Sequence, residues 1–546
     1  MNRRELLLSS AAASSLLMMP SWAKASRHSN LLLPSYSALD MSPAEKLSVF
    51  NGSSVVEGDT PDEAHEIFWN KAGYLQKKGG IPAPVEHFDV VIVGGGMSGL
   101  SAAYKLPGKK VLLIEGNPRM GGNSKTQYVG KTFISQGAAY LGAFEPGDEL
   151  DRLYTELNIK RYMRNTGGES EPVTFRGKIV NNFWAGETDP NRANDFKNAK
   201  ELLADIYENK LPELPIWNSS ASARSYLNGL DRISFTNFLK RELGQIHPHV
   251  MEMITLYCWS SFSGSPDEIS AAQGLYFFAS DTHGGANVLP GGNGLLASAM
   301  FEKLRTRSGV TMLAPCFAVD IRTSGGKAQI CFKNPAGILQ TVTATKCIVA
   351  SQKMVAKHVI DGLGEKQKKA MSLISYRAYL VANLFMRKKI PSPGYDVYAL
   401  QGTVPSDPYN DSKSRTVADI VYADWASKDN VDRSVLTCYI PLPYDMAQQY
   451  LFIDTLYPKY VDRVRASVEP QLAGMGLNWG DVGGMRLVRY GHSMPLAQTG
   501  QIADGTFENA GQDIGGCIYF ANQDNWGNPC FETSYGSALD VVRKMR

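Results

Sequence analysis

The sequence predicts an α/β protein in which a Rossmann-like dinucleotide-binding domain is interleaved with an α+β domain. Residues 88–115 contain a strand, a glycine-rich turn, a helix and a second strand, which is the order of a dinucleotide-binding unit. Helix-like segments at 195–207 and 235–243, and strand-like runs between 352 and 479, indicate a second unit with an antiparallel sheet. At about 150 residues per domain, the length agrees with three or four domain-sized units.

The composition excludes several classes of function. The 56 Lys and Arg residues nearly balance the 53 Asp and Glu residues, and the net charge of +3 argues against a broad nucleic-acid-binding surface. The seven cysteines contain no C-x-x-C pair, so neither a zinc site nor a redox dithiol is predicted. His247 and His249 flank a proline without a third ligand, so no metal is predicted. No later segment has the roughly 18 unbroken apolar residues of a membrane helix, so no stable membrane span is expected.

Residues 1–25 read as a signal peptide rather than as part of the fold. Arg3 and Arg4 precede an apolar run at 6–19, and an Ala-Lys-Ala sequence at 23–25 offers a cleavage site. Paired arginines before such a run resemble a twin-arginine export signal. This resemblance implies a periplasmic protein, the twin-arginine export machinery as a partner, and a tightly bound cofactor that is loaded before export. The alternatives are a general secretory signal and an uncleaved membrane anchor.

The unit at 88–115 is assembled from recognisable parts. Residues 90–93 and 111–114 form short apolar runs typical of buried parallel strands. Between them lie a G-x-G-x-x-G turn and a stretch with helical character at 100–106. A glycine motif alone is a weak signal, but the complete unit with an acidic residue at its end is specific.

Each part of the turn has a physical role. Gly94 permits the tight turn, Gly96 lets a pyrophosphate approach the backbone, and Gly99 allows the helix to pack closely on the strand. The helix N-terminus offers unpaired N–H groups to phosphates. Glu115, at the end of the second strand, can accept hydrogen bonds from ribose hydroxyls.

The next segment indicates which dinucleotide binds. Arg119-Met120-Gly121-Gly122 resembles the R-x-G-G segment of the flavin-containing amine oxidase superfamily, which also includes protoporphyrinogen oxidases and carotenoid desaturases. In those proteins this segment runs along the pyrophosphate and ribityl chain of FAD, and residues 137–139 match a small-residue stretch near the flavin. The resemblance implies FAD as the cofactor and the amine oxidase/glutathione reductase-like FAD fold. The implied cofactor-binding residues are Gly94, Gly96, Met97, Ser98, Gly99, Glu115, Gly116, Arg119, Gly121, Gly122, Asn123, Ser124, Gly137, Ala138, Val319, Gln523, Asp524 and Thr533.

The resemblance continues along the chain in the family's order. Its later segments are 290–295, 318–321, 348–350, 489–495, 518–524 and a C-terminal helix at 533–542. The N-terminus of that helix would point at the flavin, where its dipole stabilises negative charge. The order implies an FAD-binding domain of residues 86–150, 286–351 and 480–546, and a substrate domain of residues 151–285 and 352–479. Residues 26–85 would form an N-terminal arm with helices beginning at Pro43 and Pro61.

Within the superfamily, residues 267–271 and 379–384 resemble spermidine dehydrogenase-like proteins. Many amine oxidases carry a lysine near flavin N5, where this chain has Ala382 or Asn383. That lysine is associated with oxygen reactivity, so its absence favours a dehydrogenase. The electron acceptor would be oxygen, a quinone or a cytochrome.

The candidate catalytic or substrate-pocket residues are His492, Tyr490, Trp526 and Trp259. An amine must be neutral at its reacting nitrogen, and an apolar aromatic pocket lowers the amine pKa by desolvation. His492 or His283 can act as a base. The alternative for the aromatic residues is plain hydrophobic core, and for the histidines a structural role. The carboxylates that can hold a distal ammonium are Asp267, Glu268, Asp281 and Asp424, with surface solvation or capping as the alternative.

The residues and the resemblance together predict an exported FAD-dependent oxidoreductase that oxidises the C–N bond of a small-molecule amine by hydride transfer. One alternative is a desaturase or protoporphyrinogen oxidase-like enzyme, which acts on carbon and has a long apolar tunnel. Another is a flavoprotein for electron transfer or binding, which has no pocket above the flavin.

Overall fold

The computed structural model describes residues 31, 38–50, 56–60, 62–167, 171–212, 220–429, 431, 433–453 and 456–546. The predicted signal peptide, residues 1–25, lies outside the described residues, as does part of the predicted arm. Within the described part of the chain, no helix has both the length and the apolar character needed to cross a membrane.

The described strands are, in chain order, β1 (Ala44–Lys46), β2 (Val56–Gly58), β3 (Pro84–Val93), β4 (Val111–Ile114), β5 (Thr126–Val129), β6 (Thr132–Ser135), β7 (Tyr140–Leu141), β8 (Arg164–Asn165), β9 (Val173–Phe175), β10 (Lys178–Val180), β11 (Asn287–Val288), β12 (Val310–Leu313), β13 (Phe317–Ser324), β14 (Lys327–Lys333), β15 (Leu339–Val349), β16 (Tyr376–Met386), β17 (Asp396–Leu400), β18 (Asp419–Tyr422), β19 (Val435–Leu442), β20 (Val482–Pro495) and β21 (Ile518–Phe520). The described α-helices are α1 (Asp62–Lys77), α2 (Met97–Tyr104), α3 (Glu149–Glu156), α4 (Ala193–Asn209), α5 (Ala221–Asp231), α6 (Phe235–Leu243), α7 (Pro248–Phe262), α8 (Ala271–Gly284), α9 (Gly294–Arg305), α10 (Lys353–Val359), α11 (Glu365–Leu373), α12 (Pro408–Ser414), α13 (Ala447–Leu451), α14 (Tyr457–Gly474), α15 (Thr506–Ala510) and α16 (Phe531–Lys544).

The first large sheet has the order β12–β4–β3–β15–β14–β13, and β21 pairs with the end of β15. Strands β12, β4, β3 and β15 are parallel, as in a Rossmann-like unit. The predicted apolar strands are confirmed as β3 and β4, and the predicted helix is confirmed as α2, which begins earlier, at Met97. Leu100 and Ala103 of α2 are fully buried in a core shared with α9 and α16. This packing fixes the glycine turn at the carboxyl end of β3.

The second large sheet has the order β10–β9–β17–β18–β19–β16–β20–β2. The side chains of β16 belong alternately to two apolar clusters, because successive side chains of a strand point to opposite faces of the sheet. Leu380 and Ala382 pack with α14 on one face, and Tyr379 and Val381 belong to a tyrosine-rich cluster on the other. Helices α4 and α6 to α8 form a separate apolar core with β17. The predicted antiparallel sheet and the helices at 195–207 and 235–243 are therefore confirmed as elements.

The chain returns from the second sheet to the first sheet after β20, which is later than the predicted domain boundary at residue 480. Residues 482–495 pair with β16 in the second sheet, although the sequence assigned 480–546 to the FAD-binding domain. The chain returns to the first sheet with β21 and α16. The long antiparallel register with β16 outweighs the proximity in sequence to the C-terminal helix.

The N-terminal arm differs from its prediction in one of two places. A helix begins at Asp62, as expected after Pro61, and it is α1. No helix begins at Pro43, where residues 44–46 form β1 instead and pair in parallel with β5. The helix prediction there was wrong because the backbone pairing with β5 overrides the local propensity.

Candidate active site

A cavity of about 1210 Å³ lies between the two large sheets. It is larger than the usual range of about 300–1,000 Å³ for ligand pockets. Residues of both large sheets line it, and so do residues of the N-terminal arm. The volume leaves room for a large cofactor and a substrate together.

The glycine turn after β3 shapes one wall of this cavity. Gly94 has φ of +112°, and a Cβ at Gly99 would lie 1.8 Å from the carbonyl oxygen of Gly94, so both positions require glycine for the fold itself. A Cβ at Gly96 would meet only the Gly122 backbone, 3.7 Å away. Gly96 therefore leaves open space that a ligand can approach, while Gly99 permits the close packing of α2 on β3.

Helix α2 presents its N-terminus to the cavity. Its N-cap residue is Gly96, which supplies no side-chain hydrogen bond, and Met97 and Ser98 line the cavity. The first N–H groups of the helix and the positive end of its dipole therefore face the open space, as a phosphate site requires.

Glu115 stands at the end of β4 and lines the cavity with Gly116. Its two carboxylate oxygens accept the N–H groups of Gly95 and Asn117, each at 2.7 Å. Burial raises the pKa of Glu115, while these hydrogen bonds oppose the shift. An ionised carboxylate has about four lone-pair sites, so Glu115 retains capacity for ribose hydroxyls.

Arg119 does not line the cavity, contrary to its predicted role as a cofactor ligand. Its guanidinium donates to the carbonyls of Ser42, Pro43 and Thr126 and to the side chains of Glu45 and Gln136. These partners lie at residues 42–45 and 126–136, around β1 and β5. Arg119 therefore holds the arm against the R-x-G-G turn.

The turn at 121–124 and the segment at 137–138 do line the cavity. Asn123 donates a hydrogen bond to the carbonyl of Ser493 at 2.8 Å, and Tyr490 donates to the carbonyl of Gln136 at 2.6 Å. A Cβ at Gly137 would lie 3.0 Å from the Tyr490 hydroxyl. These contacts bring the turn at 121–124 and the segment at 136–138 against β20 of the second sheet.

Gln523 and Thr533 line the cavity, but Asp524 and Val319 do not. Asp524 is fully buried and accepts the N–H of Lys353 at 2.9 Å and the hydroxyl of Tyr376. Its Oδ2 atom holds the start of α10, and burial lowers the pKa of Lys353 to about 8. Val319 packs with residues of α1, and its neighbour Ala318 faces the cavity in its place.

Helix α16 is the second helix whose N-terminus meets the cavity. Its N-cap residue Cys530 makes no side-chain capping bond, and residues 530–536 line the cavity. The open space beside Gly96, two uncapped helix N-termini and the Glu115 carboxylate fit a dinucleotide with a negatively charged pyrophosphate. The described residues therefore fit the FAD that the sequence predicts.

Tyrosines dominate the part of the cavity formed by α7, α8 and the second sheet. The tyrosines that line it are Tyr140, Tyr257, Tyr276, Tyr379, Tyr398 and Tyr439. Tyr490 and Trp526 also line the cavity, and the Tyr490 hydroxyl donates to the backbone carbonyl of Gln136. Trp259 does not: it is fully buried and its indole N–H donates to Ser265 at 3.3 Å. Hydrophobic core was the alternative for this residue, and its position in α7, which is apolar on nearly every face, agrees with that alternative.

Four acidic residues, here called the carboxyl cluster, lie around this tyrosine-lined part: Glu171, Asp281, Asp396 and Asp419. Asp281 lines the cavity, and the hydroxyl of Tyr140, which also lines it, donates to Asp396 at 2.9 Å. Ser260 donates to Asp419 at 2.8 Å, and the other Asp419 oxygen has no hydrogen-bond partner among the described residues.

Burial raises the pKa values of the acids in the carboxyl cluster. Burial, followed by the charge of Asp396, raises the pKa of Asp281 to about 7. Burial raises the pKa of Asp396 to about 6, and burial with the charge of Asp281 raises that of Glu171 to about 8. Across the described part of the chain, no lysine or arginine forms an ion pair with Asp281, Asp396 or Asp419. A cationic ligand would therefore meet three carboxyl groups that have no ion-pair partner among the described residues.

The other carboxylates named from the sequence lie elsewhere. Glu268 forms an ion pair with Arg377 at 2.8 Å, and Asp424 accepts a hydrogen bond from Ser434 at 3.1 Å. Asp267 is exposed. Of the four named residues, only Asp281 lines the cavity.

His492 lines the cavity on the side of the arm. Burial, then the charges of His65 and Lys357, lower its pKa to about 4. Its ring is therefore neutral at neutral pH and a weak base. His283 does not line the cavity and pairs with Glu208 at 2.9 Å, so its described contact is structural. Within the described residues, no group of three or more possible His, Cys, Asp or Glu ligands forms a metal site.

Sequence reasoning missed several residues that line or support the cavity. They include Asp59, His65 and Phe68 of the arm. It also missed Asp396 and Asp419, which occupy strands of the second sheet. An acidic residue within an otherwise apolar strand was the available signal for these two, since charged residues are almost never fully buried without a reason.

Comparison with known proteins agrees with this geometry. The model of the family described as flavin containing amine oxidoreductase matches residues 97–450. Oxidoreductase PigB of Serratia sp. (strain ATCC 39006) is 24% identical over 520 residues, which cover 84% of this chain and 75% of that protein. An L-amino-acid oxidase of Sistrurus catenatus edwardsii is 25% identical over 328 residues, which cover 55% of this chain and 58% of that protein.

Two solved structures share the fold. A putrescine oxidase redesigned in its cofactor binding aligns with a TM-score of 0.60 and 16% identity, over 84% of this chain and 99% of that chain. Cyclohexylamine oxidase from Brevibacterium oxydans IH-35A aligns with a TM-score of 0.59 and 16% identity, over the same shares. Because the family match spans more than half of the chain, the protein belongs to the flavin-containing amine oxidoreductase family and is an FAD-dependent oxidoreductase.

Proposed function

We propose that this enzyme oxidises the C–N bond of an amine that also carries a distal ammonium group. The observation that carries the proposal is the tyrosine-lined part of the cavity with the carboxyl cluster around it. The aromatic rings offer an apolar wall for the reacting amine, and Asp281 offers a site for a distal ammonium. The binding of an apolar carbon substrate would not require carboxyl groups without a described ion-pair partner. Burying such groups costs free energy.

The chain's own residues would prepare the substrate in two ways. The apolar tyrosine walls favour the neutral form of the nearer amine, whose lone pair is needed for oxidation. Asp281, with a pKa of about 7, can be ionised when it holds the distal ammonium. FAD, when bound, supplies the acceptor for the hydride. The glycine turn, Glu115 and the N-termini of α2 and α16 would hold it.

The proposal is tested by mixing the purified holoenzyme with amines in the absence of oxygen. Bleaching of the flavin absorbance band by diamines or polyamines, with weaker bleaching by monoamines of equal chain length and by amino acids, is the expected result. A holoenzyme that keeps its FAD and is bleached by no amine would overturn the proposal. Bleaching by an apolar carbon substrate alone would favour the desaturase or protoporphyrinogen oxidase-like alternative. The large cavity weighs against a flavoprotein without a small substrate.

We also propose that the enzyme acts in the periplasm after twin-arginine export. The proposal is supported by Arg3 and Arg4 before the apolar run at 6–19. Replacing both arginines by lysine should leave the protein in the cytoplasm, while the matched change Lys24→Arg should not alter its location. Cell fractionation decides the matter, and equal periplasmic amounts of all three proteins would contradict the proposal.

A further inference from the structure

We propose that the N-terminal arm is a clasp that retains FAD, so that the cofactor leaves only when α1 undocks. Asp59, His65 and Phe68 of the arm line the same cavity as Glu115 and Gly116. In a Rossmann-like unit the acidic residue after the second strand marks the ribose of the adenosine half. The arm therefore covers the adenosine half of the cofactor site. This inference depends on FAD and not on the identity of the substrate.

One end of the clasp is attached to the second sheet. Strand β2 pairs with residues 487–489 of β20, at the edge of that sheet. The N–H of Asp59 donates to the carbonyl of Arg489 at 2.9 Å, and the Asp59 carboxylate accepts the N–H of Gly491, also at 2.9 Å. These bonds place Asp59 at the cavity wall, because Gly491 directly precedes His492, which also lines the cavity.

The other end of the clasp is attached to the first sheet. Lys71 of α1 forms an ion pair at 3.0 Å with Asp320 of β13, whose side chain is 2% exposed. Ile67 and Tyr74, on the same side of α1, are buried against Val319 of β13. The arm therefore spans both domains across the cavity.

An aromatic contact closes the wall between these two attachments. The ring of Phe68 lies 6.0 Å from that of Phe317 and 5.0 Å from that of His358. Phe317 also lines the cavity and lies against Gly116, where a Cβ would come within 3.0 Å of its ring. A ligand held by Glu115 is thus enclosed by α1. This helix can move away from the cavity only if its contacts to β13 break.

Hydrogen exchange on the unmodified protein tests the clasp without any substitution. The amide hydrogens of α1, residues 62–77, should exchange about tenfold or more faster after FAD is removed, since the cofactor stabilises the docked arm. Helix α14, on the opposite face of the second sheet, serves as the internal control and should exchange equally in both forms. Equal exchange of α1 with and without FAD would overturn the proposal.

Substitutions provide a second test, with the rate of FAD release as the readout. Lys71→Ala and Phe68→Ala should each release FAD about tenfold faster than the unmodified holoenzyme. The release is measured after dilution by the recovery of free-flavin fluorescence. The matched control is Lys77→Ala, because Lys77 pairs with Glu66 on the same helix but is 72% exposed. Unchanged release from the folded Lys71 and Phe68 variants would overturn the clasp. So would equally fast release from the control, since that would indicate general weakening of α1.

Discussion

Ser260 donates a hydrogen bond to Asp419 at 2.8 Å, which ties a residue of the cavity wall to a carboxyl group buried behind it. The same hydroxyl lies 3.1 Å from that of Tyr379, which also lines the cavity. Asp281 lines the cavity as well, and the charge of Asp396 contributes to raising its pKa. The carboxyl cluster therefore continues from the cavity surface into the second sheet, and Asp281 is its member in direct contact with the cavity.

Asp281→Asn should weaken the binding of a diamine far more than that of a monoamine. The change keeps the size of the side chain but removes the charge, and a charge-assisted hydrogen bond contributes about 1.5–3 kcal/mol. The KM for the diamine should rise by about ten- to a hundredfold, with little change for the monoamine. Steady-state kinetics with amines of matched length provide the measurement. Asp267→Asn, at an exposed position, is the control, and an equal effect of both substitutions would contradict the assignment.

Stability without substrate should fall as the pH rises from about 5 to 8. Burial raises the pKa of Asp396 to about 6, of Asp281 to about 7 and of Glu171 to about 8. An acid whose pKa is higher in the folded state stabilises the fold below its unfolded pKa, near 4, and this contribution is lost as the pH rises through the folded value. Thermal unfolding of the holoenzyme measures the effect. A flatter profile is expected for Asp281→Asn, and an unchanged profile would exclude Asp281 as a contributor.

Gly96→Ala and Gly99→Ala should separate cofactor binding from folding. A Cβ at Gly96 has no protein atom closer than 3.7 Å, so the stability of the FAD-free protein should change by less than about 1 kcal/mol. The FAD affinity should nevertheless fall by about tenfold or more, because the methyl group occupies the approach of the pyrophosphate. A Cβ at Gly99 would overlap the Gly94 carbonyl, and destabilisation by about 2 kcal/mol or more is expected.

Denaturant unfolding of the FAD-free proteins and flavin titration provide the two readouts. The pair serves as its own control, since the same methyl group is added three positions apart on one turn. An FAD affinity unchanged in Gly96→Ala would show that the pyrophosphate does not pass over this glycine.

Sequence patterns predicted the parts of the fold in which local and long-range preferences agree. Strand β4 and helix α6 begin and end at the predicted residues, because an apolar run or an amphipathic stretch is buried without competition. The role of Arg119 was not predictable in this way. Its acceptors include carbonyls of residues 42 and 43, and the pairing of that segment with β5 is set by contacts distant in sequence.

The candidate site divides in the same manner. The glycine turn and Glu115 follow from a compact motif, whereas Asp59 and Phe68 reach the cavity only because the arm pairs with β20 and packs on β13. The tyrosines at 379 and 439 lie in strand-like runs of the sequence. Tyr379 and Tyr439, however, meet across two strands separated by a long insertion, with their rings 5.9 Å apart. The facing of such strands is a property of register, and one sequence does not reveal it.

Gly536→Ala should displace Trp526 and alter substrate binding while FAD is retained. A Cβ at Gly536 would lie 2.4 Å from the Trp526 ring, which lines the cavity. Overpacking of this kind costs about 1–3 kcal/mol. Trp526→Phe removes the overlapping ring atoms, so the double variant should recover most of the stability lost in Gly536→Ala. Thermal unfolding and the KM for the amine measure the two effects, and losses that simply add would exclude the contact.

Oxygen should reoxidise the enzyme more slowly than an artificial quinone acceptor does. Val381 of β16 lines the cavity, while Ala382 faces the opposite side of the sheet and Asn383 bonds to Ser135 and Thr437. Among the described residues that line the cavity, the lysine is Lys333, on β14 of the first sheet. Among the residues that the structure describes, the tyrosine-lined part thus offers no lysine that could position water or oxygen beside a bound flavin. Anaerobic reduction by an amine, followed by mixing with oxygen or the quinone in a stopped-flow instrument, gives both rates. Reoxidation by oxygen as fast as by the quinone would show that this enzyme is an oxidase despite its lack of that lysine.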